Sequence, residues 1–434
     1  MLYYSTNGQS PKVDFKTATI NGQTPDKGLY FPEFIPQLEK SFIENIDEYP
    51  NEAIAYEIIK PYVGNTIPAD VLKKIVEETV NFSIPLVPIN EKIASLELFH
   101  GPTLAFKDIG ARFMSRCLGY FVKDQQKKVT VLVATSGDTG GAVANGFYDV
   151  PGVDVIILYP SGKVSSVQEK QLTTLGKNIH ALEVKGSFDD CQQMVKDVFA
   201  HAADFPQLFL TSANSINVAR WLPQQFYYFF AYKQWADKNN PPVISVPSGN
   251  FGNICAGLLA AASGLPVKHF IAACNANDTI PEFLNTGIYP EKKSVATISN
   301  AMDVASPSNF VRIMEIFGQQ VPDLKKQLTA YSVNDADTKA TLKKVFDEYQ
   351  YLLDPHGAVG YNALEQYLSG NILEKGIVVE TAHPVKFYDV VEPIINKSIE
   401  IPAFIKEQLE ASQQVTLIDN SLEALGSFLK NQLM

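Results

Sequence analysis

The stretch VISVPSGNFGNICAGLLAAA, residues 243–262, decides the fold of this chain. It begins with a short run of apolar and β-branched residues, turns through a polar segment that contains two glycines, and continues with small apolar residues. A strand that passes through a tight turn into a helix is the building unit of parallel α/β sheets. The stretch therefore predicts a buried strand at 243–246, a turn, and a helix at 254–262.

The same alternation of strand and helix patterns extends over most of the chain. Further strands are predicted at 129–134, 153–159, 179–184, 267–273 and 377–379. Further helices are predicted at 164–175, 188–202, 218–236, 330–351 and 359–368. Most of the strands are near-continuous apolar runs, as expected where both faces of a sheet are covered. The pattern predicts an α/β protein with a parallel sheet.

The first 95 residues have a different organisation. Helical patterns such as 68–82 lie between proline-containing turns, without regular alternation with strands. A length of 434 residues is typical of two or three domains. We therefore predict a mainly helical N-terminal domain over residues 1–95 and a main α/β domain over residues 96–434.

Composition and charge exclude several classes of function. Hydrophobic residues make up 46% of the chain and charged residues 19%, as in ordinary globular proteins. The formal net charge of -11 argues against non-specific binding to nucleic acid or to an anionic membrane. The N-terminal residues lack a secretory signal pattern, and the apolar run 254–265 is too short to span a bilayer. We expect a cytoplasmic protein that binds neither nucleic acid nor a membrane.

The cysteines give no sign of a metal site or of disulfide bonds. They are widely spaced inside apolar segments, without a CxxC or Cys/His cluster. Their positions are Cys117, Cys191, Cys255 and Cys274. We expect buried free thiols and no bound metal.

The turn inside the opening stretch has the composition of an anion site. It consists of Ser248, Gly249, Asn250, Phe251, Gly252 and Asn253. The glycines let the backbone approach an anion closely, and the N–H groups and dipole of the following helix bind phosphate without a basic side chain. An ordinary strand-to-helix turn fits the loop in isolation equally well. The loop lacks the Gly-Lys-Ser/Thr end of a Walker phosphate-binding loop, and it lacks the G-x-G-x-x-G spacing of dinucleotide sites.

A second polar turn, ATSGDTGG at 134–141, follows the predicted strand 129–134. It offers the hydroxyls of Thr135, Ser136 and Thr139 and the carboxylate of Asp138 at the start of a helix. Hydroxyls and backbone N–H groups in such a turn suit a substrate carboxylate. Simple capping of the helix by Asp138 or Thr139 is the alternative interpretation.

A third segment, FHGPTLAFKD at 99–108, places one lysine inside an apolar stretch. Desolvation lowers the pKa of a buried amine and makes it a nucleophile and a base near neutral pH. Taken alone, Lys107 fits a solvated surface group as well.

Together, several segments of the chain resemble the threonine synthase family. The resemblance rests on residues 3–6, 28–33, 99–108, 135–140, 248–253, 354–360 and 380–387, which occur in the order expected of that family. Two departures are Lys27, where the family commonly has a second glycine, and the tail after residue 390, which carries no familiar motif. Neither touches the expected site.

The resemblance implies a fold-type-II pyridoxal-phosphate enzyme with two parallel-type α/β subdomains and a mainly helical N-terminal domain. About 110–210 would form the smaller subdomain and the remainder the larger one. The implied reaction is a lyase reaction that converts O-phospho-L-homoserine and water to L-threonine and phosphate. Elimination of phosphate from the γ carbon is followed by addition of water at the β carbon. The implied cofactor is pyridoxal 5'-phosphate, without a metal, in a monomer or a homodimer.

The resemblance also assigns roles to residues. Lys107 would anchor the cofactor covalently and carry protons at the α and β carbons of the substrate. The loop 248–253 would bind the cofactor phosphate, and Thr381 would face the pyridine nitrogen. Asp138 would lie near the phenolic oxygen of the cofactor, which requires a shared proton.

The phosphate of the substrate requires donors of its own. The candidate substrate residues are Thr135, Ser136, Thr139, Lys163, Asn214 and Arg220. An arginine binds phosphate through two parallel hydrogen bonds, whereas a lysine acts as a point charge. For each candidate, helix capping or a plain surface charge is an equally good interpretation.

Two alternatives to this function stay open. One is another fold-type-II lyase, such as a serine or threonine dehydratase, which shares the lysine and the glycine loop. The other is a catalytically inactive binding protein with the same fold. The N-terminal segment 28–33 and the complete sequence of segment 99–108 favour the threonine synthase family over both alternatives.

Overall fold

The computed structural model describes residues 1–123 and 128–433. Its strands, numbered along the chain, are β1 (Tyr3–Ser5), β2 (Tyr30–Pro32), β3 (Leu86–Pro88), β4 (Ile93–Glu97), β5 (Val129–Ala134), β6 (Val153–Pro160), β7 (Ile179–Lys185), β8 (Phe209–Ser212), β9 (Val243–Pro247), β10 (His269–Cys274), β11 (Leu328–Ser332), β12 (Gly376–Glu380) and β13 (Val415–Asp419). They form one antiparallel pair and two larger sheets.

The helices surround both larger sheets. They are α1 (Phe15–Asn21), α2 (Lys40–Glu44), α3 (Asn51–Val63), α4 (Ala69–Thr79), α5 (Lys107–Val122), α6 (Asp138–Phe147), α7 (Ser166–Thr173), α8 (Phe188–Ala200), α9 (Val218–Trp221), α10 (Gln225–Gln234), α11 (Gly252–Ala262), α12 (Thr279–Thr286), α13 (Phe310–Ile316), α14 (Val321–Gln327), α15 (Asp335–Tyr349), α16 (Pro355–Gly370), α17 (Tyr388–Ile395), α18 (Ala403–Glu410) and α19 (Leu422–Leu433).

The larger sheet has the strand order β11-β10-β9-β12-β4-β3. All neighbours are parallel except β3 and β4, which are antiparallel. Every residue of the central strands β9 and β12 is buried, because helices cover both faces. The carboxyl ends of β4, β9 and β12 meet at one edge, where an open parallel sheet places its ligands.

The smaller sheet has the strand order β13-β7-β6-β5-β8, and all of its strands are parallel. Every residue of β5 and β6 is buried. Its outer strand β13 comes from the tail after residue 390. The tail therefore completes a sheet whose other strands lie more than 200 positions earlier in the chain.

The N-terminal segment is mainly helical and packs against the rest of the chain through Arg312. This guanidinium is fully buried and stacks over the ring of Trp221, 4.4 Å from its centroid. Arg312 donates to the carbonyl oxygens of Tyr30 in β2 and of Ile216, at 3.0 and 2.5 Å from Nη2. Burial lowers the pKa of Arg312 to about 10. Its hydrogen bonds therefore join the N-terminal segment to the loop that precedes α9.

The predicted strands and most helices are confirmed, with two corrections. The predicted helix 330–351 is wrong at its start, because 328–332 forms β11 beside β10. The helix begins only at Asp335, where the Asn334 side chain accepts from the N–H of Asp337 and caps it. The predicted helix 218–236 is broken by a 3-10 turn, Leu222–Gln224, because Pro223 lacks the N–H that a continuous helix needs.

The aromatic helix α10 belongs to the core. All of its residues from Gln225 to Tyr232 are buried. Within 1–123 and 128–433, no helix combines the length and hydropathy required to cross a membrane. The four cysteines are buried and free. The domain boundary at residue 95 stays a prediction. Strand β3 lies just before it and β4 crosses it, and both strands belong to the larger sheet.

We expect Arg312→Met to lower the free energy of unfolding by about 2 to 4 kcal/mol. The methionine fills part of the space but leaves the buried carbonyl groups of Tyr30 and Ile216 without donors. The matched control is Lys326→Met, because Lys326 is an exposed partner of Asp323. Its effect should stay within about 0.5 kcal/mol. Denaturant unfolding of both variants measures the difference, and equal midpoints would contradict the role given to Arg312.

Candidate active site

Lys107 lies at the start of α5, next to the segment that leaves β12. The N–H of Phe106 donates to the carbonyl oxygen of Thr381 at 2.9 Å, and the N–H of His383 donates to that of Leu104 at 3.0 Å. Leu104 has a φ of 56°, which turns the chain sharply before the helix. This backbone pairing brings Lys107 and Thr381, far apart in sequence, to the same edge of the larger sheet.

The Lys107 side chain is only 17% exposed and faces Asp138 at the start of α6. Its Nζ lies 3.9 Å from Asp138 Oδ2. Burial lowers the pKa of Lys107, and the charges of Lys386 and Arg220 lower it further, although Asp138 opposes the shift. A neutral amine is the form that acts as a nucleophile or as a base.

Asp138 is buried and binds two further side chains. Its Oδ1 accepts from Lys386 Nζ at 2.6 Å and from Gln168 Nε2 at 2.9 Å. Burial alone would raise the pKa of Asp138, but the charges of Lys386 and Lys107 and these hydrogen bonds lower it below its usual value. Asp138 is therefore an ionised carboxylate in the site.

Sequence reasoning missed the roles of Lys386 and Gln168. Lys386 stands in the motif 380–387 between apolar residues, the same signal that singles out Lys107, but its partner Asp138 is not visible in the sequence. Gln168 reads as a capping residue, and it does form a capping box with Ser165 at the start of α7. Its amide nitrogen remains available for Asp138.

The glycine loop 248–253 joins β9 to α11. Its own side chains hold it in place, since Asn253 donates to the carbonyl oxygen of Pro247 at 2.7 Å and Asn250 donates to Ser215 Oγ at 2.8 Å. Phe251, with a φ of 60°, turns the chain into the helix. Among the residues that the structure describes, the backbone N–H groups from Gly249 to Asn253 have no hydrogen-bond acceptor. These free donors at a helix N-terminus suit a phosphate group.

Thr381 follows the last residue of β12, Glu380. Its side chain is largely buried and makes no hydrogen bond to another described residue. Glu380 is fully buried and accepts from the N–H of Asp354 at 2.6 Å. Burial raises the pKa of Glu380 well above its usual value, and the charge of Asp354 raises it further. The hydrogen bond from Asp354 to this buried carboxyl group thus holds the strand end that presents Thr381.

The candidate substrate residues fall into different environments. Thr135 Oγ1 accepts from the N–H groups of Gly137 and Gly140 at 2.9 and 2.8 Å, so it holds the turn itself. Ser136 and Thr139 on the same turn are half-buried. The Asn214 side chain donates to the carbonyl oxygen of Ala134 at 3.4 Å.

The two charged candidates differ in burial. Arg220 is buried, donates to the carbonyl oxygen of Ala213, and lies close enough to lower the pKa of Lys107. Its Nε has no hydrogen-bond partner among the described residues. Lys163 is exposed, and its charge acts on Asp190 instead. Arg220 therefore belongs to the group around Lys107, whereas Lys163 lies apart from it.

Comparisons with known proteins agree with this geometry. Residues 86–381 match the family described as pyridoxal-phosphate dependent enzyme, residues 2–80 match the threonine synthase N terminus, and residues 357–429 match the threonine synthase C-terminal region. A threonine synthase of Buchnera aphidicola is 42% identical over 436 residues, covering 100% of both chains. The chain belongs to the threonine synthase family.

Solved structures of this family have the same fold. The crystal structure of threonine synthase from Escherichia coli has a TM-score of 0.93 and 41% identity, covering 99% of this chain and 100% of that one. The structure of a pyridoxal-phosphate-bound threonine synthase from Brucella melitensis has a TM-score of 0.93 and 33% identity, covering 100% of this chain and 99% of that one. The predicted fold class and family are confirmed.

The residues of this chain fit pyridoxal phosphate, the cofactor of the family. The free N–H groups of the glycine loop offer donors for its phosphate, and Lys107 offers an amine, whose pKa burial lowers, for its aldehyde. A Cβ on Gly249 would lie 2.7 Å from Met302 Cα and 3.0 Å from the carbonyl oxygen of Ala301. A larger residue at position 249 would therefore push the loop out of its place.

We expect Gly249→Ala to weaken the binding of pyridoxal phosphate by at least about tenfold. The added methyl group collides with backbone atoms of 301 and 302, so the loop has to move and its N–H groups lose their alignment. The control is Gly370→Ala, because a Cβ at that position of α16 meets no atom within 4 Å. Absorbance titration of cofactor-free protein gives both affinities. Equal affinities of the two variants would show that the loop does not carry the phosphate.

Proposed function

We propose that this chain is a threonine synthase that converts O-phospho-L-homoserine and water to L-threonine and phosphate. The observation that carries the proposal is full-length similarity to threonine synthases, over both the catalytic part and the terminal regions particular to that family. The arrangement of Lys107, Asp138 and the glycine loop supports it. Lys107 and the phosphate cradle lie at the carboxyl-end edge of the larger sheet, and the Asp138 carboxylate, which follows β5 of the smaller sheet, faces Lys107.

Each residue of the site has a proposed task. Pyridoxal phosphate supplies an electron sink for the carbanions of the reaction. Lys107 would anchor it and then move protons at the α and β carbons of the substrate, and its lowered pKa favours the neutral form that this task requires. The loop 248–253 would hold the cofactor phosphate, Thr381 would offer a neutral hydroxyl to the ring nitrogen, and Asp138 would offer a carboxylate to the ring oxygen.

The substrate carries a second phosphate, for which we propose Arg220 as the main charged ligand. Arg220 is buried, makes no ion pair with a described carboxylate, and keeps an unpartnered Nε. The charge of Asp108 acts on Arg220 without a salt bridge between them, and an incoming phosphate would compensate the buried cation directly. Ser136 and Thr139 are proposed to bind the substrate carboxylate, with Thr135 and Asn214 holding the surrounding turns.

Several further properties are part of the proposal. The free, buried cysteines suit a reducing compartment such as the cytoplasm. We infer a monomer or a homodimer, with residues 1–95 as an N-terminal domain and residues 96–434 as the catalytic domain. The smaller subdomain corresponds to about 110–210, with β13 added from the tail.

The reaction is tested by phosphate release from O-phospho-L-homoserine. We expect wild-type protein with pyridoxal phosphate to release phosphate and form threonine, and Lys107→Ala to be at least about 10³-fold slower, since it lacks the proton carrier. The control is Lys177→Ala, which removes an exposed partner of Asp149. Turnover of serine or threonine to a keto acid, without phosphate release, would favour a dehydratase. Absence of any turnover, with the cofactor bound, would favour an inactive binding protein.

We expect Arg220→Met to raise the KM for O-phospho-L-homoserine by about 30-fold, because a buried phosphate loses its charged ligand. Binding of pyridoxal phosphate should change little, which separates a substrate role from a cofactor role. The comparison variant is Lys163→Met, whose exposed side chain lies apart from Lys107. Steady-state kinetics decide between them. A larger increase in KM for Lys163→Met than for Arg220→Met would reverse the assignment.

A further inference from the structure

Lys386 is a buried charge to which the proposed reaction gives no task. Its side chain is 0% exposed on the 3-10 turn Pro384–Phe387. Its Nζ lies 2.6 Å from Asp138 Oδ1 and donates to the carbonyl oxygen of Thr103 at 2.9 Å. A buried ammonium group is strongly unfavourable unless it is both paired and hydrogen-bonded. Lys386 has both: an ion pair with Asp138 and a hydrogen bond to the carbonyl oxygen of Thr103.

Asp138 is shared unequally between two lysines. Its Oδ1 accepts from Lys386 and from Gln168, whereas Oδ2 is 3.9 Å from Lys107 Nζ, beyond hydrogen-bond length. One carboxylate compensates one positive charge. The shorter contact makes Lys386 the counter-ion of Asp138. The interaction of Lys107 with the same carboxylate is weaker.

The charges around Lys107 come from four other residues on different elements. Asp138 on α6 and Asp354 before α16 favour its ammonium form, whereas Lys386 and Arg220 oppose it. Lys386 therefore acts on Lys107 in two ways. It repels a proton on Lys107 directly, and it occupies the carboxylate that would otherwise retain that proton.

We propose that Lys386 is a positioning residue for Lys107: its positive charge both compensates the Asp138 carboxylate and repels a proton on Lys107, and so keeps the Lys107 amine out of a permanent ion pair. The inference rests on the task proposed above for Lys107. Without Lys386, Asp138 takes Lys107 as its counter-ion and holds it as an ammonium group. An ammonium group neither attacks a carbonyl carbon nor accepts a proton.

The protonation of Lys107 is measured directly in the cofactor-free, full-length chain. Limiting acetic anhydride modifies neutral amines only, and mass spectrometry of the peptide that contains Lys107 gives its reactivity against pH. We expect Lys386→Met to raise the pH midpoint of Lys107 by about one unit or more. Lys386→Arg keeps the positive charge and should stay close to wild type. Lys177→Met, at an exposed ion pair, should leave the midpoint unchanged.

A second pair of variants decides the matter if Lys386→Met does not fold. Asp138→Asn with Lys386→Met removes both buried charges together, which a protein tolerates better than an unpaired charge. In Asp138→Asn alone, Lys386 remains and repels a proton on Lys107, so its midpoint should lie below that of the double variant. Equal midpoints in this pair, or an unchanged midpoint in folded Lys386→Met, would overturn the inference.

This labelling experiment separates the inference from the proposed reaction. It requires neither pyridoxal phosphate nor substrate. A chain whose Lys107 midpoint shifts as expected, but which releases no phosphate from O-phospho-L-homoserine, contradicts the reaction and supports the role of Lys386. Alternatively, the chain forms threonine and shows the same Lys107 pH midpoint in wild type and in Lys386→Met. That result contradicts the role of Lys386 and leaves the reaction supported.

Discussion

The site depends on a short backbone pairing between the segments that leave β4 and β12. These strands are parallel neighbours, and each continues beyond the sheet at its carboxyl end. There the N–H of Phe106 bonds to Thr381 and the N–H of His383 bonds to Leu104, so the two segments remain side by side. Because backbone atoms make these bonds, the positions of Lys107 and Thr381 depend little on the flexibility of side chains.

Much of the fold could be predicted from the sequence because its strands are buried on both faces. Runs such as 129–134 and 153–159 are apolar throughout, and this pattern belongs to central parallel strands. The edge strand β11 lacks it, since the three residues from Thr329 to Tyr331 are only half-buried, and its sequence does not stand out from that of the helix that follows. The local hydrophobic pattern of a segment therefore predicts its burial well, but it does not predict which strands pair at the edge of a sheet.

The site was predictable only where its residues lie in one recognisable motif. Lys107, Thr381 and the glycine loop each stand in such a motif, and the fold brings Lys107 and Thr381 together. The pairing of Asp138 with Lys386 depends on how α6 meets the turn after β12, and no local pattern records it. The same holds for Arg220, whose burial without a carboxylate partner becomes visible only in three dimensions.

The strand β13 ties the smaller sheet to the last part of the chain, with consequences for the order of synthesis. Strands β5 to β8 leave the ribosome well before β13, so the outer edge of β7 stays open until residues 415–419 have been synthesised. An open edge offers unpaired backbone groups to other chains. Nascent chains that are cut short before residue 415 thus carry an exposed β7 edge, and they are the species on which chaperones and proteases would act first.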